Sequence, residues 1–221
     1  MKPCWLWWSS GKDSAWTLYQ LQQSTEYEVT ALITSVNAQA NRVAMHGVRR
    51  EVLEAQAQAA GLPLIVIDLP FPCTNDDYVA AVEPFLQRAV DEGVEAMAFG
   101  DLFLADVRQY RCDLLAEYPL EPIFPLWQSN TTELAQTMMK GGLRAQISCL
   151  DPKQLPEHLA GRGFDEELLA ELPSSADPCG ERGEFHTVTW SGPMFQYDLY
   201  LKQGETVKRG GFVFTDWLLP K

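Results

Sequence analysis

Trp5-Leu6-Trp7-Trp8-Ser9-Ser10-Gly11-Lys12-Asp13-Ser14-Ala15-Trp16 runs from an apolar strand through small and polar residues into a helix. In an open α/β sheet, ligands bind beyond the carboxyl ends of the strands. The free N–H groups and positive dipole end of the following helix make that place an anion site. Ser9, Ser10 and Gly11 let the backbone approach an oxyanion closely, Lys12 adds a point charge, and Ser14 adds a hydroxyl donor. The expected anion is a phosphate. The string is not a Walker A loop, because Asp13 follows the lysine where Ser or Thr would stand and Leu6 occupies the place of the first glycine. Asp13 would repel a bare phosphate unless Mg²⁺ lay between them. A plain Ser/Gly turn explains any one of these residues, but not the whole string at the end of the first strand.

Outward from this loop, short apolar runs alternate with amphipathic stretches, the pattern of strands in a parallel sheet with helices on its faces. The strand candidates are residues 4–8, 29–35, 64–69, 96–100 and 144–149. The clearest helices are 49–60 and 78–92, followed by Gly61 and Gly93, the left-handed caps expected of glycine. A possible helix at 106–117 precedes an apolar piece at 122–127. Over 151–185 nine acidic residues meet three basic ones. The chain then reads as β-like at 195–201 and 211–214, around a turn at Gln203-Gly204. The expected fold class is α/β, an open, mostly parallel, doubly wound sheet with a small C-terminal α+β subdomain. A soft boundary near residue 150 separates a nucleotide-binding domain at 1–150 from a substrate-side subdomain at 151–221, packed on it as one wall of a cleft.

The 221 residues are 46% hydrophobic and 21% charged, enough for a packed core and too ordered in composition for wholesale disorder. Lys and Arg total 17 against 30 Asp and Glu, a net charge of −13 that argues against a general nucleic-acid binder. The five cysteines, at 4, 73, 112, 149 and 179, include no CxxC and leave one over in any pairing scheme. Reduced thiols and a cytoplasmic location are expected, with no zinc ribbon or iron–sulfur cluster. No run approaches the roughly 18 apolar residues of a membrane span, and the segment before Ser9 is too short for a signal peptide. Apolar edges such as 212–219 could make a homodimer, or equally an intramolecular sheet.

Gly100 and Asp101 end a strand, and Asp106 to Arg111 open the next helix, so these polar groups should face the same cleft as the loop. Asp101 could assist Mg²⁺ or position a substrate amine. Arg108 and Arg111, three apart, could hold an anion. Read blandly, they are an N-cap acid and a solvated basic face. The string Asp177-Pro178-Cys179-Gly180-Glu181-Arg182-Gly183-Glu184-Phe185-His186-Thr187 is dense in ionisable groups and glycine without apolar periodicity, which suits a binding loop. Glu184 and His186 would point the same way if extended. Cys179 reads as a passive thiol rather than a nucleophile.

Ser9-Ser10-Gly11-Lys12-Asp13-Ser14 resembles the PP-loop, SGGKDS, of the adenine nucleotide α-hydrolase superfamily, with Ser10 in place of one glycine. The resemblance implies cleavage of ATP between its α and β phosphates, the loop holding the departing pyrophosphate. Gly180-Glu181-Arg182-Gly183-Glu184-Phe185-His186-Thr187 is similar to the GExGE(Y/F)xT loop of that superfamily's diphthine–ammonia ligase branch. Gly61-Leu62-Pro63-Leu64, Gly100-Asp101, and the stretch from Glu121-Pro122 to Leu126-Trp127 match the same branch. The likeness covers the chain up to about Phe195. It implies ligation of ammonia to a carboxylate on a small molecule or protein side chain, through an acyl-adenylate, with AMP and pyrophosphate released. His186 stands where the diphthamide enzymes usually carry an acid, and single-domain members of this His-containing type look bacterial, so the acceptor transfers less well than the ATP chemistry.

The roles that follow are ATP contacts from Ser9, Ser10, Gly11, Lys12, Asp13, Ser14, Ile33 and Gly100, with Mg²⁺ on Asp13. The acceptor would meet Arg108, Arg111 and Glu181, and the catalytic set would be Lys12, Asp101, Glu181, Glu184 and His186, a carboxylate or the imidazole taking the ammonium proton. Lys12 is expected to be an exposed loop side chain that contributes little to packing. Two other readings compete: a tRNA-modifying PP-loop ATPase, and a universal-stress-type sensor that keeps ATP without consuming it.

Overall fold

The computed structural model describes residues 1–220. Two sheets organise it. The first contains β1 (Lys2–Trp7), β2 (Tyr27–Asn37), the two-residue β3 (Arg42–Val43), β4 (Leu64–Leu69), β5 (Ala96–Ala98) and β6 (Glu121–Ile123). All pairings are parallel except β2 with β3. β4 lies on the edge of β2 away from β1, so the parallel strands run β4-β2-β1-β5-β6. The order reverses between β1 and β5, which opens a crevice beyond the carboxyl ends of those two strands.

β1 explains the layering. Cys4, Leu6 and Trp8 face a core shared with α1 (Lys12–Gln22), α2 (Arg50–Ala60) and α5 (Thr131–Lys140), while Trp5 faces a second core with α3 (Asn75–Asp91) and α4 (Ala105–Leu115). Apolar residues on both faces of one strand require helices on both sides of the sheet. The helix ends follow local chemistry: Gly61 closes α2 at φ 71°, and Thr74 opens α3 with a reciprocal cap to Asp77.

The second sheet is antiparallel, in the order β8-β7-β10-β9, with β7 (Arg144–Leu150), β8 (Phe185–Ser191), β9 (Lys202–Arg209) and β10 (Phe212–Leu218). Between β7 and β8 lie a 3₁₀ turn at Glu157–Leu159 and one short α-helix, α6 (Glu166–Glu171). Three expectations change here. Residues 144–149 do form a strand, but it pairs with β8 and β10 instead of joining the parallel sheet; a buried apolar run reads alike in either. Residues 195–201 are bends and irregular chain rather than a strand. The hairpin reverses at Gly210-Gly211, where φ is 58° and 87°, and Gln203-Gly204 lies within β9. A two-residue hairpin turn with positive φ at both positions selects glycine. Among the described residues no helix is long and apolar enough to cross a membrane.

Candidate functional site

The crevice between β1 and β5 is a cleft of about 600 Å³. Its floor is the turn from β1 into α1. Ser10 adopts φ 76°, the left-handed conformation that favours glycine, and its carbonyl accepts from Gln56 Nε2 (3.0 Å) and Thr189 N (2.9 Å). Gln56 is wholly buried; it also donates to the Thr189 carbonyl and accepts from Trp8 Nε1, so one amide ties the loop, β1 and β8 together. A Cβ on Gly11 would sit 2.9 Å from His46 Cε1, and one on Gly100 would sit 3.1 Å from Ser14 N. Glycine at both positions lets His46 and the end of β5 pack directly against the start of α1.

Lys12 is not exposed: only 2% of its surface is accessible. Its ammonium lies over the rings of Phe164 and Phe185, contacts the Cys179 carbonyl, and pairs with Asp13 Oδ2 at 2.8 Å. Burial works against its charge, but the Asp13 carboxylate, with Cys179 and Glu181 beyond it, holds it above the ordinary lysine value. Burial pushes Asp13 upward despite the pull of Lys12. The expectation failed because the wall that covers Lys12 comes from residues 164–185, which nothing near Lys12 in the chain announces.

That wall is a loop folded around its own carboxylates. Asp177 accepts from Cys179 N, Glu181 N and Thr131 Oγ1. Glu184, 1% exposed, accepts from Asp177 N at 2.7 Å and Arg182 N at 2.9 Å, and it does not line the cleft. Glu181 does line it, and accepts from Leu102 N at 2.8 Å. Burial, reinforced by Asp13, raises Glu181 to about 7.

The structure therefore brings Ser9, Lys12, Asp13, Ser14, Gly100, Asp101, Arg111, Glu181 and His186 to one cleft. Ser10 and Gly11 form its buried floor. Ile33 lies in the core below, and Arg108 stacks on Phe124 and Trp127 outside the lining. Arg111 lies over Trp7 and Phe99, with Nε 3.9 Å from Asp101 Oδ2. Both of those atoms are buried without a hydrogen bond. Sequence reasoning missed His46, whose ring meets His186 at 4.6 Å between centroids. Its only local signal is a lone histidine beside Gly47, which carries no chemistry by itself.

Among the described residues no three His, Cys, Asp or Glu side chains converge on a metal position. One or two carboxylates suffice for Mg²⁺ when phosphate oxygens supply other ligands. Asp13 in the cleft and the unpartnered oxygen of Asp101 fit that requirement.

An open, mostly parallel α/β sheet with a cleft at its switch point defines the class, a doubly wound protein. Residues 1–116 match the diphthamide synthase N-terminal domain and residues 130–215 the diphthamide synthase C-terminal domain, so the chain belongs to the diphthamide synthase family. It is similar to the diphthine–ammonia ligase of Danio rerio, 27% identical over an alignment covering 90% of this chain and 86% of the relative. It is also similar to the diphthine–ammonia ligases of Bos taurus and Homo sapiens, each 28% identical, over 64% and 61% of this chain. The aligned region spans about half of those two relatives, 55% and 52%.

Proposed function

We propose that this protein is an ATP-dependent, AMP-forming ligase that adenylates a carboxylate and transfers ammonia to it. The observation that carries the reading is the buried Lys12 ammonium at the switch-point loop, held between Asp13 and the loop that bears Glu181. A carboxylate is a poor acyl donor because its leaving group would be an oxide, and adenylation replaces that group with AMP. Attack on the α-phosphorus expels pyrophosphate, whose charge Lys12, Ser14 and the first-turn amides of α1 would neutralise. Mg²⁺ on Asp13 would supply further positive charge there. Arg111 would hold the acceptor carboxylate, and Glu181 would take the proton released from nitrogen. We assign ATP binding to residues 1–150 and the acceptor side to 151–221, and place the protein in the cytoplasm on the chemistry of its free thiols.

With ATP, Mg²⁺, ammonium chloride and a panel of carboxylates labelled with oxygen-18, AMP and pyrophosphate should form in equal amounts and the label should enter AMP. ADP and orthophosphate as products, or no carboxylate-dependent turnover, would reject the ligase.

Glu181 also sets a pH dependence. A base must be ionised, so amide formation should rise with pH through about 7. Because its folded value lies above that of the unfolded chain, its ionisation costs stability over the interval between about 4.5 and about 7 as pH increases. Glu181→Gln should lose both the rate limb and that slope, and a Gln variant with an unchanged rate profile would remove Glu181 from this role.

A further inference from the structure

The fold presents two imidazoles at the phosphate loop. His46 reaches it from the connection after β3, where Met45 and Gly47 both have positive φ (61° and 67°), and His186 reaches it from β8. His46 Nδ1 lies 3.2 Å from the Thr187 carbonyl. A carbonyl only accepts, so Nδ1 carries the hydrogen and Nε2 is left as a lone pair. Both rings line the cleft, and the Nε2 of His186 is buried there with no hydrogen bond. The rings also press on the loop itself: a Cβ on Gly11 would strike His46, and Thr187, the next residue after His186, accepts from Lys12 N through its hydroxyl at 3.0 Å.

We propose that His46 and His186 form the binding site for the nitrogen nucleophile, and that they take it as neutral ammonia. This rests on the ligase reading above. The Nε2 lone pair of His46 and the buried, unpartnered Nε2 of His186 call for a small ligand that can donate to one ring and pair with the other. Burial, and after it the Lys12 ammonium, keeps His46 down to about 4, and burial with His46 and Lys12 holds His186 well below its ordinary value, so a second cation at the same place is disfavoured. Ammonia satisfies both conditions, and ammonium fails the second. The position suits the chemistry, since the acyl group to be attacked is made where the pyrophosphate leaves. The nitrogen lone pair forms the C–N bond, the acyl C–O bond to AMP breaks with its electrons going to AMP, and the surplus proton on nitrogen passes to the Glu181 carboxylate.

The chain has three histidines, at 46, 158 and 186, and His158 is exposed, which provides an internal control. In nitrogen-15 spectra of the full chain labelled at histidine, with Mg²⁺ and α,β-methylene ATP at pH 9, ammonium chloride should shift His46 and His186 saturably and leave His158 unmoved. Equal shifts at all three, or none at the pair, would overturn the assignment.

The kinetic arm uses a carboxylate that passes the ATP test. His46→Asn keeps an N–H for the Thr187 carbonyl and deletes the lone pair, and His186→Phe keeps a ring. Each should raise the KM for ammonia about tenfold, a larger change than it makes in carboxylate-dependent pyrophosphate–ATP exchange. Normal exchange with an unchanged KM for ammonia in both variants would dismiss the ammonia site. Absence of exchange in wild type with every carboxylate would instead dismiss the ligase, leaving the spectra to decide the site.

Discussion

Lys12→Met should reduce pyrophosphate release about 10²- to 10³-fold, the usual cost of deleting one preorganised group that stabilises developing charge. Met is the informative substitution because Lys12 is buried with its ammonium over the rings of Phe164 and Phe185, and Ala would add a cavity to the loss of charge. Even so, the variant leaves the Asp13 carboxylate and the Cys179 carbonyl without their donor, and should lose about 1–3 kcal/mol of unfolding free energy. Steady-state pyrophosphate release and denaturant unfolding on the same samples separate the two effects. A folded Lys12→Met protein with wild-type release would reject the loop as the pyrophosphate site.

Glu184→Ala should destabilise the protein by about 1–4 kcal/mol, because the buried N–H of Asp177 and the part-buried N–H of Arg182 lose the carboxylate they share. Their amides should exchange with solvent far faster than in wild type, and the loop should become sensitive to protease. Glu184→Gln separates structure from chemistry. It keeps an oxygen for Asp177 but turns an N–H toward that of Arg182, so it too should be less stable, with product formation falling only as the loop loosens. If Glu184→Gln were as stable as wild type yet inactive, the carboxylate would have a chemical role that its buried position does not suggest.

The turn from β1 into α1 and the cap at Gly61 could be read from the sequence because each rests on interactions within a few residues. Gly100 and Asp101 were placed correctly at the cleft because an open sheet puts the carboxyl ends of its strands together. The burial of Lys12 and the pairing of His46 with His186 could not be read the same way. Lys12 N bonds a hydroxyl 175 residues along the chain, and the His46 ring bonds a carbonyl 141 residues away. Glu184 and Glu181 look equivalent in the string from 180 to 187, yet one carboxylate turns inward to hold its own loop and the other crosses to the amides after β5. Local pattern cannot choose between those directions.

The bond from Lys12 to Thr187 also orders events in time. A ribosome adding about 5–20 residues per second needs on the order of ten to thirty seconds to pass from one partner to the other. During that interval β1 and α1 can form, but the carbonyl of Ser10, the amide of Lys12 and its ammonium await β8 and the loop before it. Closing contacts of such separation comes late in folding, after the local elements are in place. The nascent chain thus carries its charged loop unassembled until β8 and the loop before it have been made, and the cleft takes shape only then.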